Sequence, residues 1–86
     1  YKIVYVPHNI IKEHIACYNV EYKGKIIAPA VAGILRIPPN EIWISQKFKK
    51  QEDEILFHEL NEIKYRWEGY SQKEAHRKAK MEKTIQ

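Results

Sequence analysis

FHELNEIKYRWEGYSQKEAHRKA, residues 57–79, decides how the chain folds. From Gln51 onward the apolar residues recur with the period of a helix: Leu56, Leu60, Ile63 and Trp67 form one stripe, as a helix buried along one side requires. Gly69 follows the last of them and suits the left-handed residue that closes a helix. Ser71 then opens a second helix, and Ser-Gln-Lys-Glu at 71–74 has the spacing of a capping box. Ala75 and Ala79 share a face of that helix, and small side chains there let two helices approach closely. The stretch therefore predicts a helical hairpin.

Upstream the pattern is different. Tyr1–Val6 alternates and is rich in β-formers, so it predicts a strand ending at Pro7. Asn9 to Tyr18 places Ile10, Ile11, His14, Ile15 and Tyr18 at helical spacing, which predicts an N-terminal helix capped by Asn9. Lys23–Gly24 predicts a turn into a strand. Gly33–Ile37 and Glu41–Ser45 flank Pro38-Pro39-Asn40 and read as a β-hairpin. The expected fold is α+β: a small, mostly antiparallel sheet with an N-terminal helix and a C-terminal helical hairpin.

At 86 residues, one domain spanning 1–86 is expected. A chain of this size buries only ~60–65% of its unfolded surface, so the core is thin. Cys17 is the single cysteine, which excludes an intrachain disulfide and a cysteine zinc cluster. It reads as a small core residue, and the chain as cytoplasmic. The longest apolar run, residues 26–35, is broken by Pro29 and falls short of the ~20 residues a membrane span needs. Trp43 and Trp67 read as core anchors, and His14 as a partly buried residue on the apolar face of the N-terminal helix.

The polar residues of the hairpin hold the functional signal. On a wheel at ~100° per residue, His58 and Glu62 fall opposite the apolar stripe, with Glu59 on its flank. Four residues apart, His58 and Glu62 lie one turn from each other and can converge on one ion. This is the logic of the His-Glu-x-x-His zinc motif, in which the second residue is the general base. Here the fifth position is Glu, also an acceptable zinc ligand. His76, returned by the turn at Gly69–Tyr70, is the candidate third ligand. Two His and one Glu is a ligand set of catalytic Zn2+. The same residues also read as the polar side of an amphipathic hairpin, with Glu62 paired to Arg66 at i+4 for about a few tenths of a kcal/mol.

HELNE at 58–62, EGYSQKE at 68–74 and AHRKA at 75–79 resemble small phage, plasmid and archaeal proteins that carry His-Glu-x-x-Glu, a short connector and Ala-His-x-x-Ala. More remotely, Glu41–Ser45 followed by this helix resembles minimal zincin metallopeptidases. The resemblance covers residues 41–80 and implies a Zn2+ site of His58, Glu62 and His76, with Glu59 as catalytic base of a metallopeptidase-like hydrolase. Its substrate is then a peptide or protein, bound at a sheet edge that strand 41–45 offers. Tyr65 or Tyr70 is the expected oxyanion donor, and His8 lies at a strand end from which it can approach the site.

Other functions remain open. The formal charge is +4, and Lys73, Arg77, Lys78, Lys80 and Lys83 make the C-terminal segment basic. That segment suits the second helix of a helix-turn-helix on nucleic-acid phosphates. Against it, Glu52, Asp53, Glu54, Glu59 and Glu62 make the preceding helix acidic. A small adaptor presenting a sheet edge is a third reading. Because so short a chain has little material for subsite walls, a non-catalytic metal centre or a homodimer is also compatible.

Overall fold

A computed structural model describes residues 1–12 and 14–82. The architecture is α+β. Strands β1 (Lys2–Val6), β2 (Ala16–Tyr22), β3 (Lys25–Ile27) and β4 (Glu41–Ser45) form a sheet in the order β1-β4-β2-β3. The β1–β4 pair is parallel, whereas β4–β2 and β2–β3 are antiparallel. Helix α1 (Ala30–Leu35) precedes β4, a 3-10 segment (Gln46–Gln51) follows it, and α2 (Glu52–Trp67) and α3 (Gln72–Met81) complete the order.

The pleat divides the core between two faces. Tyr18, Val20, Ile27, Ile42 and Ile44 point toward Ile63 of α2, with Ile3 and Tyr5 beside them. Cys17 points the other way, with Val6, Ile11, Ala32 and Ile37, under α1 and the turns of residues 8–12. Cys17 is thus a small core residue, and burial pushes its thiol pKa up to about 12. Trp43 and Trp67 are each half-buried at the margin of a core cluster.

Three expectations are corrected. The described residues of 9–18 form no N-terminal helix. Two turns start there, with Ile10 N and Ile11 N both donating to the Pro7 carbonyl. Lys12 then enters the left-handed region at φ 52° and stops the coil. The apparent helical stripe joined residues of unlike fate: Ile10 and Ile15 are exposed, Ile11 is buried, and Tyr18 belongs to β2. His14 accordingly sits exposed ahead of β2.

The predicted hairpin of 33–37 with 41–45 is also absent. Gly33–Leu35 lies in α1, and Arg36 at φ 58° turns the chain so that Ile37 is buried. The turn at Pro38–Asn40 persists and leads into β4. Asn40 adopts φ 62°, and its side chain accepts from Glu21 N at 2.8 Å.

Finally, β4 is no edge. It pairs with β1 on one side and β2 on the other, so it cannot offer itself to a substrate strand. Along β2, β3 reaches only Val20–Tyr22, so Ala16–Asn19 have no strand on that side among the described residues, yet Cys17 and Tyr18 are buried there.

The turn at Lys23–Gly24 forms as expected, with both residues at positive φ (48° and 82°), as a two-residue hairpin of primed type requires. The hairpin of α2 and α3 also forms. Gly69 stands at φ 112°, with Gly69 N donating to Arg66 O and Tyr70 N to Tyr65 O. This is the paired closure of a Schellman motif. Ser71 Oγ caps α3 by accepting from Glu74 N at 3.2 Å. Ala75 and Ala79, both buried, let α3 lie close on α2.

Candidate metal centre

The inward face of α2 differs from the one the wheel predicts. Ile63 is buried, as expected, but so are Glu59 and Glu62, while Leu60 is 39% exposed. Leu56 and Trp67 still pack against the core beside Ile63, so the inward arc is turned only part of the way toward the side where α3 and β2 meet the helix. His58 and Glu62 therefore face a second layer of protein instead of solvent.

That rotation brings the three expected ligands together. His76 Nδ1 lies 2.9 Å from Glu62 Oε1, His58 Nε2 lies 3.7 Å from the same oxygen, and the two imidazole nitrogens are 3.4 Å apart. One donor atom from each residue thus falls within 4.8 Å of the others. The His58 and His76 rings meet edge to face, with centroids 4.9 Å apart. Glu62 is the buried member of the trio, whereas His76 is exposed on α3.

Electrostatics favours a charged Glu62. Burial alone would push its carboxyl up. The His58 imidazole, the Tyr18 hydroxyl, His76 and the Gln72 amide together outweigh that and hold it at about 2. His58 is shifted up, chiefly by the Glu62 carboxylate beside it. Glu59 behaves in the opposite way. Burial, followed by repulsion from Glu62, raises it to about 8 despite the nearby His58. It lines a cleft of about 620 Å³ together with His58, His76, Ile55 and the start of β2 at Ile15–Ala16.

Other expected participants lie elsewhere. Tyr65 donates to Glu82, and its ring packs edge-on against Tyr70; neither tyrosine lines the cleft. His8 Nδ1 is 2.9 Å from the buried Ser45 Oγ and its ring abuts Phe48, so it serves the β4 end of the sheet. Lys73 and Arg77 are exposed on α3, and Lys78 Nζ sits 4.8 Å over the Tyr70 ring; Lys80, also exposed, does border the cleft. Lys83 lies outside the described residues.

Four residues join the site that spacing did not assign to it. Tyr18 of β2 donates to Glu62 Oε2 at 2.5 Å, and Gln72 Nε2 donates to the same oxygen at 2.8 Å. Arg66 reaches Gln72 Oε1 and does not pair with Glu62 directly, so the direct i+4 ion pair is replaced by a bridged one. His14 stands on the wall of the cleft. The alternating inward positions Ala16, Tyr18 and Val20 are the signal by which Tyr18 was recognisable, once residues 16–22 are taken as a strand.

Comparison of the chain with protein-family models, with curated proteins and with solved structures gives no match.

Proposed function

We propose that this protein is a zincin-like metal-binding hydrolase that holds Zn2+ through His58 Nε2, Glu62 Oε1 and His76 Nδ1. One observation carries the reading. A tetrahedral ion with bonds of 2.0–2.2 Å needs donors about 3.3–3.5 Å apart, and these three atoms are separated by 2.9, 3.4 and 3.7 Å. The donor set, two imidazoles and one carboxylate, is that of catalytic zinc.

When bound, such an ion lowers the pKa of water toward ~7 and so supplies a nucleophile at neutral pH. Glu59 is the residue to receive the proton: it adjoins ligand His58 in sequence and lines the same cleft. Burial and the Glu62 charge raise its carboxyl to about 8 in the metal-free protein; the cation beside it would favour the ionised form, which can take a proton and pass it to a leaving group. The substrate class is a peptide. An extended chain lying in the cleft would pass Ile15–Ala16 at the start of β2 and run beside His58 and Glu59.

Calorimetric titration of Zn2+ into metal-free protein tests the site. One ion per chain is expected, with binding lost in His58→Ala and His76→Ala; equal affinity in those variants and the parent removes the proposal. In the loaded protein, Glu59→Gln should keep the ion and lose about 10²–10⁴-fold in peptide hydrolysis. Salt-dependent binding of duplex DNA without metal uptake would instead favour a nucleic-acid role for Lys73, Arg77 and Lys80.

A further inference from the structure

Glu62 has two carboxylate oxygens, and the fold treats them differently. Oε1 faces His58 and His76. Oε2 faces inward, where it accepts from Tyr18 OH at 2.5 Å and from Gln72 Nε2 at 2.8 Å. The Gln72 amide is itself held in one orientation. Arg66 carries only donors, so its contact fixes Oε1 of Gln72 toward the guanidinium and turns the NH2 group onto Glu62. Arg66 is steadied in turn by the Ala28 carbonyl at 3.4 Å. Three elements, β2, α2 and α3, thus meet at one oxygen atom that no metal ligand shares.

We infer that Tyr18 and Gln72, with Arg66 behind Gln72, are positioning residues that commit Glu62 Oε2 and so make Glu62 a one-oxygen ligand. The inference rests on the metal site proposed above. With Oε2 engaged, Glu62 gives one donor, the two histidines give two, and a fourth position is kept for water. With Oε2 released, the carboxylate can swing to place both oxygens on the ion, and coordination rises at the expense of the open position.

Co2+ is the probe, because Zn2+ has a filled d shell and no visible bands. The parent protein should take up one Co2+ and show the intense visible absorption of a four-coordinate ion. Tyr18→Phe and Gln72→Met should each bind Co2+ about 10–100-fold more weakly. In the double variant the visible bands should fall several-fold in intensity as the coordination number rises. Circular dichroism of each variant in chelator establishes that it is folded. Parent-like affinity and spectrum in both variants, with His58→Ala unable to bind, overturns the positioning role alone. Weakened binding with an unchanged spectrum also overturns it, because it assigns the two residues to general stability. A parent protein that takes up no Co2+ overturns the metal site and this inference together.

Discussion

Tyr18 and Glu62 are 44 positions apart in sequence, and the tyrosine hydroxyl donates to the glutamate at 2.5 Å in a buried contact. This bond ties the centre of the sheet to the helix bearing the candidate ligands. Its effect is visible on both sides: burial, reinforced by the Glu62 charge, raises the Tyr18 hydroxyl pKa, while Glu62 is held low. A hydrogen bond to a buried charge contributes about 1.5–3 kcal/mol. Tyr18→Phe should therefore lower the unfolding free energy of the metal-free protein by that amount in a urea titration. Tyr65→Phe, whose hydroxyl meets Glu82 at the surface, should change it far less. Equal losses in the two variants would contradict the buried bond.

If His58, Glu62 and His76 hold Zn2+ as proposed, the metal should stabilise the fold, because these side chains are brought together only in the native state. At free Zn2+ of about 100 times the dissociation constant, the gain is about 2.7 kcal/mol. A thermal melt with and without chelator measures it. In His76→Ala the gain should vanish. The metal-free stability of that variant should change by under about 1 kcal/mol, since the His76 side chain is 58% exposed. A metal-dependent rise that survives His76→Ala would place the ion elsewhere.

The hairpin was legible because its signals are local. Gly69 and Ser71 act through the residues beside them, and Ala75 and Ala79 mark the contact face whatever lies across it. The direction that α2 faces was not local. Leu56, Leu60, Ile63 and Trp67 form a sound stripe, yet Tyr18, Gln72 and Arg66 reward the burial of Glu62, and the helix rolls until Leu60 is exposed. No spacing within 52–67 encodes a partner on β2. Residues 9–18 misled for a related reason: only Tyr18 of the apparent stripe belongs to β2, and the 3.6 period joining it to Ile10, Ile11, His14 and Ile15 fits by accident. The proximity of the candidate trio was legible because His58 and Glu62 are bound by helix geometry, and a tight turn leaves His76 few other places to go.

The roll of α2 has its own test. Ile63 is 2% exposed and central to the sheet-facing core, so Ile63→Ala should cost about 2–5 kcal/mol. Leu60→Ser should cost less than about 1 kcal/mol, because Leu60 lies 39% exposed and surface changes are small. Guanidinium titrations of both variants decide the matter. A larger loss at Leu60 than at Ile63 would return the helix to the orientation of its apolar stripe.

Glu59 gives the metal-free protein a pH signature. Its folded pKa is about 8 against an ordinary 4.5, so between those values the folded state holds a proton that the unfolded state has lost. Stability must then fall as pH rises through that window, at most about 1.4 kcal/mol per pH unit from this group. Glu62 acts on the other side: its folded value of about 2 stabilises the fold above 4.5, and that contribution disappears as pH falls toward 2. His58, raised by Glu62, contributes stability that is present below its ordinary 6.5 and is lost as pH rises through its folded value, reinforcing the alkaline decline. The metal-free protein should thus be most stable in mildly acidic solution. Glu59→Gln, a neutral copy of the protonated acid, should flatten the alkaline limb: its stability relative to the parent should improve from pH 5 to pH 8. Chemical denaturation in chelator at the two pH values measures this. Parallel losses in parent and variant would show that Glu59 titrates normally and is not held in the dry wall of the cleft.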